Sequence, residues 1–181
     1  LHNFIPRSFV DKIKKFHGVN KSERAVTIGV VGYVGSQKNQ IRAVEMVFKL
    51  LNQGFEVKLK IFGVAFSQEN KKYKEKLETR ISNLNLGKYV TLEGYAEKVY
   101  IYRNIDILLS TSLTEGFGKT IIEGMVAGVP VIAFAGAGGP RDLIRSWENG
   151  VLINNLETSE LELAVGELCK CEKLRKSLGM K

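Results

Sequence analysis

The chain has 181 residues, 44% hydrophobic and 25% charged, with 27 Lys and Arg against 19 Asp and Glu for a net charge of +8. That length and apolar content suit one domain with a proper core, and exclude a disordered or fibrous chain. No apolar run approaches the roughly 20 residues that cross a bilayer, and the opening LHNFIPRSF has neither the basic head nor the long apolar stretch of a signal peptide.

Along the chain, a short amphipathic lead (SFVDKIKKFHG) precedes AVTIGVVGYV, Ala25 to Val34, which reads as a buried strand. In NQIRAVEMVFKLLNQG, Ile41, Val44, Val47, Phe48 and Leu51 recur at helical spacing, and Gly54 stops the helix. EVKLKIFG alternates as a strand does, and Ser67 is placed to cap a long charged helix that ends near NLNLG. The densest basic cluster, KKYKEK from Lys71 to Lys76, lies in this helix among acids and reads as a solvated face. No zinc-finger spacing or ribonucleoprotein signature accompanies it, so nucleic acid is not the expected partner. A nucleotide, an anionic glycan or an acidic membrane leaflet suits the charge equally. Then follow YVTLEGY as a strand, AEKVYIYRN as a short helix, IDILLS as a strand, and a helix opened by TEGFGKT. VPVIAFA is the next strand, GGPRDLIRS has Pro140 at a helix start, GVLI is a short strand, and a closing helix begins about Thr158. Cys169 and Cys171, two apart in that helix, point about 200° from each other and cannot pair. Unpaired thiols fit a reducing compartment, and the expected location is the cytoplasm.

Six strand–helix units without hairpin turns predict an α/β fold, a doubly wound, Rossmann-like parallel sheet of about six strands with helices on both faces. Ligands of such sheets bind beyond the carboxyl ends of the strands where the strand order reverses, usually between the first and fourth strands. Two loops should therefore face one crevice, GYVGSQKNQ (Gly32 to Gln40) and STSLTEGFGKT (Ser110 to Thr120). Gly32 and Gly35 allow tight turns, and Lys38 can meet a phosphate or simply face solvent. Neither GxGxxG nor GxxxxGK[ST] occurs. Gly116 and Gly118 bare backbone N–H groups at a helix start, which makes an anion seat. Glu123 flanks an apolar arc of Ile121, Ile122, Met125 and Val126. It reads either as an exposed helix residue, with Glu115 a first-turn acid complementing the dipole, or as one of two carboxylates accepting hydrogen bonds from sugar hydroxyls. The second reading implies a ligand with both phosphates and hydroxyls.

EGFGKTIIE, Glu115 to Glu123, has E-x7-E spacing, with AGVPVIA, GGPRDLI and ENGVLI behind it and KNQIRAVEMV and YVTLEGYAEKVYIYRNIDILLSTS ahead. This ordered set resembles the carboxyl-terminal domain of retaining, family 4 type glycosyltransferases of the GT-B fold over nearly the whole chain. The resemblance implies an interdomain linker and lead helix at residues 1–20, a nucleotide-sugar donor-binding domain at residues 21–181, and an N-terminal acceptor domain that the chain lacks. It implies catalytic roles for Lys38, which stabilises the leaving diphosphate, and for Glu115, which contacts hydroxyls of the transferred sugar. Gly116, Phe117 and Gly118 come close to sugar and diphosphate, Glu123 accepts from the ribose, and Gly94 and Tyr95 border the base. Gly32, Tyr33, Gly35, Lys119 and Thr120 complete the donor site. Tyr33 stands where the family usually has an arginine and supplies no cation.

The substrate implied is a UDP-sugar or GDP-sugar, without a bound metal or other cofactor, reacting at the front face through an oxocarbenium-like state. The acceptor implied is a glycan or a lipid-linked acceptor, in bacterial-type polysaccharide or lipopolysaccharide assembly, with the protein expected at the inner face of a membrane. The isolated domain is expected to be inactive. A non-catalytic nucleotide-binding domain and half of a nucleotide-sugar epimerase remain alternatives. His2 and His17 have no metal-like partner, Ser110, Thr111 and Ser112 lack the His and Asp that would make a nucleophile, and Trp147 is expected to pack rather than to serve as a sugar platform.

Overall fold

The computed structural model describes residues 5–14, 25–156 and 159–180, so the expectations for His2 and His17 and the helix start near Thr158 lie outside the described residues. Six short apolar segments form strands: β1 (Val26–Val31), β2 (Val57–Phe62), β3 (Val90–Gly94), β4 (Ile107–Ser110), β5 (Val131–Phe134) and β6 (Val151–Ile153). They pair in the order β3-β2-β1-β4-β5-β6, every neighbour parallel. The helices are α1 (Arg7–Lys14) ahead of β1, then α2 (Gln40–Asn52), α3 (Gln68–Asn83), α4 (Lys98–Arg103), α5 (Lys119–Val126) and α6 (Pro140–Leu143) between successive strands, and α7 (Glu160–Lys170) and α8 (Glu172–Gly179) after β6. The strand order reverses between β1 and β4, as expected of a doubly wound sheet.

Alternation along the strands divides the core into two layers. Ile28, Val30, Leu59, Ile61, Ile107, Leu109 and Ile132 meet α2, α3, α7 and α8 on one face. Phe62, Leu108, Val131 and Ala133 meet α1, α4 and α5 on the other. Within the segment expected as a linker and lead helix, Ile5, Phe9 and Ile13 are buried in this second layer. Phe9 sets its ring edge-on to Tyr102, 5.8 Å between centroids. The predicted punctuation is present: the Ser67 hydroxyl accepts the Asn70 N–H at 3.1 Å, and Pro140 opens α6.

Four details differ from expectation. The buried arc of α2 is Ala43, Val44, Met46, Val47 and Leu50, while Phe48 is 36% exposed. Val44 and Val47 are buried as expected and Ile41 and Leu51 are half-buried against the same core, so the arc is wider than expected and extends to the side on which Arg42 ties α2 to α7. Its guanidinium lies 2.8 and 3.0 Å from the two carboxylate oxygens of the buried Glu162. The closing helix is two helices, broken at Cys171, whose backbone is extended and whose thiol sulfur accepts the Leu174 N–H at 3.4 Å. The two thiols are free, but they do not share one helix. Finally, Trp147 has φ 65° in a tight turn closed by its N–H on the Gly150 carbonyl at 2.6 Å, which leaves its side chain half exposed rather than packed. Among the described residues no helix is long and apolar enough to cross a membrane.

Candidate functional site

The two loops singled out in the sequence meet above the β1–β4 junction. Buried Thr111 donates its hydroxyl toward the carbonyls of Lys38 and Asn39, at 2.9 and 3.0 Å, and Leu113 N–H donates to the Gln37 carbonyl at 2.8 Å. Gln40, fully buried, ties the first loop down by donating to the Tyr33 carbonyl at 2.8 Å and accepting the Gly35 N–H at 3.4 Å. The tight turn is completed by a 3-10 segment, Ser36–Lys38, before α2 begins at Gln40. Across this junction the Lys38 ammonium stands 2.6 Å from a Glu115 carboxylate oxygen, both side chains being largely buried. The Tyr33 ring lies 5.9 Å from the same ammonium, and its hydroxyl donates to Gln37 Oε1 at 2.5 Å. Tyr33 thus holds a cation in place without carrying one.

Glu115 precedes α5 instead of sitting in its first turn, because the helix starts at Lys119. Its backbone joins the loop after β5: Glu115 N–H donates to the Ala137 carbonyl at 2.7 Å and Gly139 N–H to the Glu115 carbonyl at 3.0 Å. Gly116, Phe117 and Gly118 carry the chain from this anchor to α5. Gly118 has φ 72°, and a side chain there would come within 2.9 Å of Leu143, so glycine suits the cap twice over. The first-turn amides of α5 have no intrahelical acceptor and form the positive end of the helix dipole.

Glu123 is not an exposed helix residue. It is 3% exposed, held on one carboxylate oxygen by the Lys98 ammonium and on the other by the Tyr102 hydroxyl at 3.0 Å. Burial first, and then the neighbouring Glu123 carboxylate, push Tyr102 well above the usual phenol range, so it stays a donor at neutral pH. Burial likewise raises Tyr73, whose hydroxyl oxygen accepts the Ile41 N–H at 3.1 Å and so occupies one amide at the start of α2.

A cleft of about 300 Å³ opens beside these groups, at the carboxyl ends of β1, β2 and β3. Of the predicted residues, Gly32, Tyr33, Gly94, Tyr95, Lys119, Thr120 and Glu123 line it. Gly35, Lys38, Glu115, Gly116, Phe117 and Gly118 stand off its wall. Lys38 joins the two regions, since its stem crosses Gly32 so closely that a β-carbon there would lie 3.1 Å from Lys38 Cε. The floor is a backbone crossing. A β-carbon on Gly63, at φ 147°, would fall 1.8 Å from the Gly32 carbonyl oxygen, so no other residue fits. Sequence reading missed Phe66, Lys98 and Ile101 on the wall and Tyr102 behind it. The usable signal was the i, i+4 spacing of Lys98 and Tyr102, which puts both on one side of α4. Among the described residues no group of three or more His, Cys, Asp or Glu side chains is set to hold a metal ion. What the site offers is cations, helix-start amides and two anchored carboxylates, a combination that suits a ligand carrying phosphates and hydroxyls.

Comparison with known proteins agrees in kind. Residues 11–181 match the family model described as glycosyl transferases group 1. The poly(glycerol-phosphate) alpha-glucosyltransferase of Bacillus subtilis (strain 168) is 31% identical over 144 residues, 79% of this chain and 20% of that protein. The poly(ribitol-phosphate) alpha-N-acetylglucosaminyltransferase of Staphylococcus aureus (strain COL) is 31% identical over 142 residues, 78% of this chain and 27% of that protein. In fold, the crystal structure of Anabaena Alr3699/HepE in complex with UDP and glucose superposes with a TM-score of 0.80 at 23% identity, covering 98% of this chain and 47% of that one. The chain spans between 14% and 27% of the length of five curated relatives.

Proposed function

The chain belongs to the glycosyl transferases group 1 family, and from that premise we propose that it is the donor-binding domain of a retaining, family 4 type glycosyltransferase of the GT-B fold. The observation that carries this reading is the junction of the two loops, where the Lys38–Glu115 pair and the glycine-capped start of α5 stand next to a cleft lined by Gly32, Lys119, Thr120 and the buried Glu123. In it, the diphosphate of a UDP-sugar or GDP-sugar lies against Lys38 and the start of α5, where fixed positive charge favours the departing nucleotide. Glu115 accepts hydrogen bonds from the sugar, Glu123 from the ribose, and Gly94 and Tyr95 border the base. Lys38 is shared between Glu115 and the phosphate, so the ammonium needs only a small shift to follow charge as it builds on the leaving group. The reaction proceeds at the front face, with the nucleotide-sugar as substrate and no metal or other cofactor.

We assign the acceptor side to a second, N-terminal domain, and read the isolated chain as inactive in transfer. The acceptor we propose is a glycan or a lipid-linked acceptor, and the +8 charge fits an anionic glycan or an acidic membrane leaflet. Titrating UDP, GDP and ADP against the chain tests the reading. UDP or GDP should bind, and Glu123→Ala should weaken that binding about ten-fold or more through loss of hydrogen bonds to a charged acceptor. Failure of every nucleotide to bind sinks it.

A further inference from the structure

Glu123 is buried, yet it lines the cleft, and each of its oxygens already has one partner. Tyr102 takes one oxygen at 3.0 Å and Lys98 the other. A carboxylate offers about four acceptor positions, so one remains on each oxygen. Two acceptors side by side match two hydroxyls on adjacent carbons, provided the carboxylate cannot turn. Both partners work to stop it turning. The Tyr102 ring is fixed edge-on by Phe9, its hydroxyl sits 3.2 Å from the Thr120 carbonyl one turn before Glu123, and Lys98 closes from the solvent side of the same cleft.

We propose that Tyr102 and Lys98 are positioning residues that lock Glu123 in the orientation able to clasp a vicinal diol, and so set a preference for a ribonucleotide over its 2′-deoxy counterpart. This rests on the ribose role given to Glu123 above. Neither residue touches the reacting bond; both act through Glu123. Removing the Tyr102 hydroxyl or the Lys98 charge frees the carboxylate to rotate and to accept from one hydroxyl at a time. Binding of the ribonucleotide then weakens, while the 2′-deoxynucleotide, which donates only one hydroxyl, is little affected.

The test measures affinity for UDP and 2′-deoxy-UDP by calorimetry, or for the guanine pair if GDP is the nucleotide that binds. It uses the wild-type chain, Tyr102→Phe, Lys98→Met and Lys98→Arg, with circular dichroism confirming folding. Wild type should prefer the ribonucleotide about ten-fold, the value of one hydrogen bond to a charged acceptor. Tyr102→Phe and Lys98→Met should lose most of that ratio by weakening the ribonucleotide alone, and Lys98→Arg should keep it. A wild type that binds UDP or GDP without preferring ribose, or variants that keep the full ratio, overturns this inference and leaves the proposed function standing. A wild type that binds no nucleotide overturns both. If Tyr102→Phe does not fold, the Lys98 variants decide, because that side chain is 43% exposed and outside the core.

Discussion

Arg42→Met should destabilise the domain by about 3 kcal/mol. Wild-type Arg42 is 5% exposed and Glu162 4%; the guanidinium spans both carboxylate oxygens and also donates through Nε to the Leu156 carbonyl. Deleting one partner of such a pair costs about 3–5 kcal/mol, because the other charge stays buried. Lys49, 3.2 Å from Glu162 and half exposed, remains to balance it. That places the loss at the low end. For a domain of this size about 3 kcal/mol corresponds to a fall in Tm of roughly 6–12 °C, and it is a large share of a typical total of about 5–15 kcal/mol. Urea unfolding followed by circular dichroism measures it, with Arg42→Met/Glu162→Leu as the companion variant. The double variant should recover most of the loss, since apolar replacement of a buried pair is close to neutral.

The pH dependence has a definite sign. Burial pushes the Glu162 carboxyl up, but the Arg42 hydrogen bond and charge, with help from Lys49, outweigh it and hold the group below its ordinary value. A lowered folded value means stability that is present above the unfolded carboxyl range and lost as pH falls through the folded one. The gap between wild type and Arg42→Met should therefore be full at neutral pH and narrow in acid. A loss under about 1 kcal/mol, or a double variant no better than the single one, refutes the assignment of this pair as a buried clasp.

Two further outcomes follow from local geometry. Gly63→Ala should cost about 3 kcal/mol or more and abolish nucleotide binding, read by thermal melting and a UDP titration, because its β-carbon would strike the Gly32 carbonyl at 1.8 Å. Cys169, pushed up to about 11 by burial, should react with a thiol reagent at pH 8 far more slowly than exposed Cys171, as mass-mapped labelling of the two sites would show; equal rates would contradict the burial.

The parallel sheet was legible in the sequence because strands covered on both faces read as apolar runs separated by helical periods. The pairing of the Gly32–Gln40 and Ser110–Thr120 loops was legible too, since it needs only the strand order of a doubly wound sheet. What stayed hidden depended on contacts between distant segments. Glu123 admitted an exposed reading because its counter-ion comes from Lys98 and its hydroxyl partner from Tyr102, both on another helix. Phe48 belonged to a plausible apolar arc, but the inner face of α2 also takes in Arg42, buried against Glu162 120 positions away, and Phe48 lies at its outer edge. The break at Cys171 had no glycine or proline to announce it, only a thiol acting as a helix cap.

The Lys38–Glu115 contact sets a condition on whatever enters. An anion arriving alone would draw the ammonium off and strand a largely buried carboxylate, while a polyol arriving alone would compete with the ammonium for that carboxylate. A molecule presenting negative charge and hydroxyls together can satisfy both halves at once. Under the proposed donor role, the pair would therefore favour a ligand that carries both groups over inorganic phosphate or a free sugar.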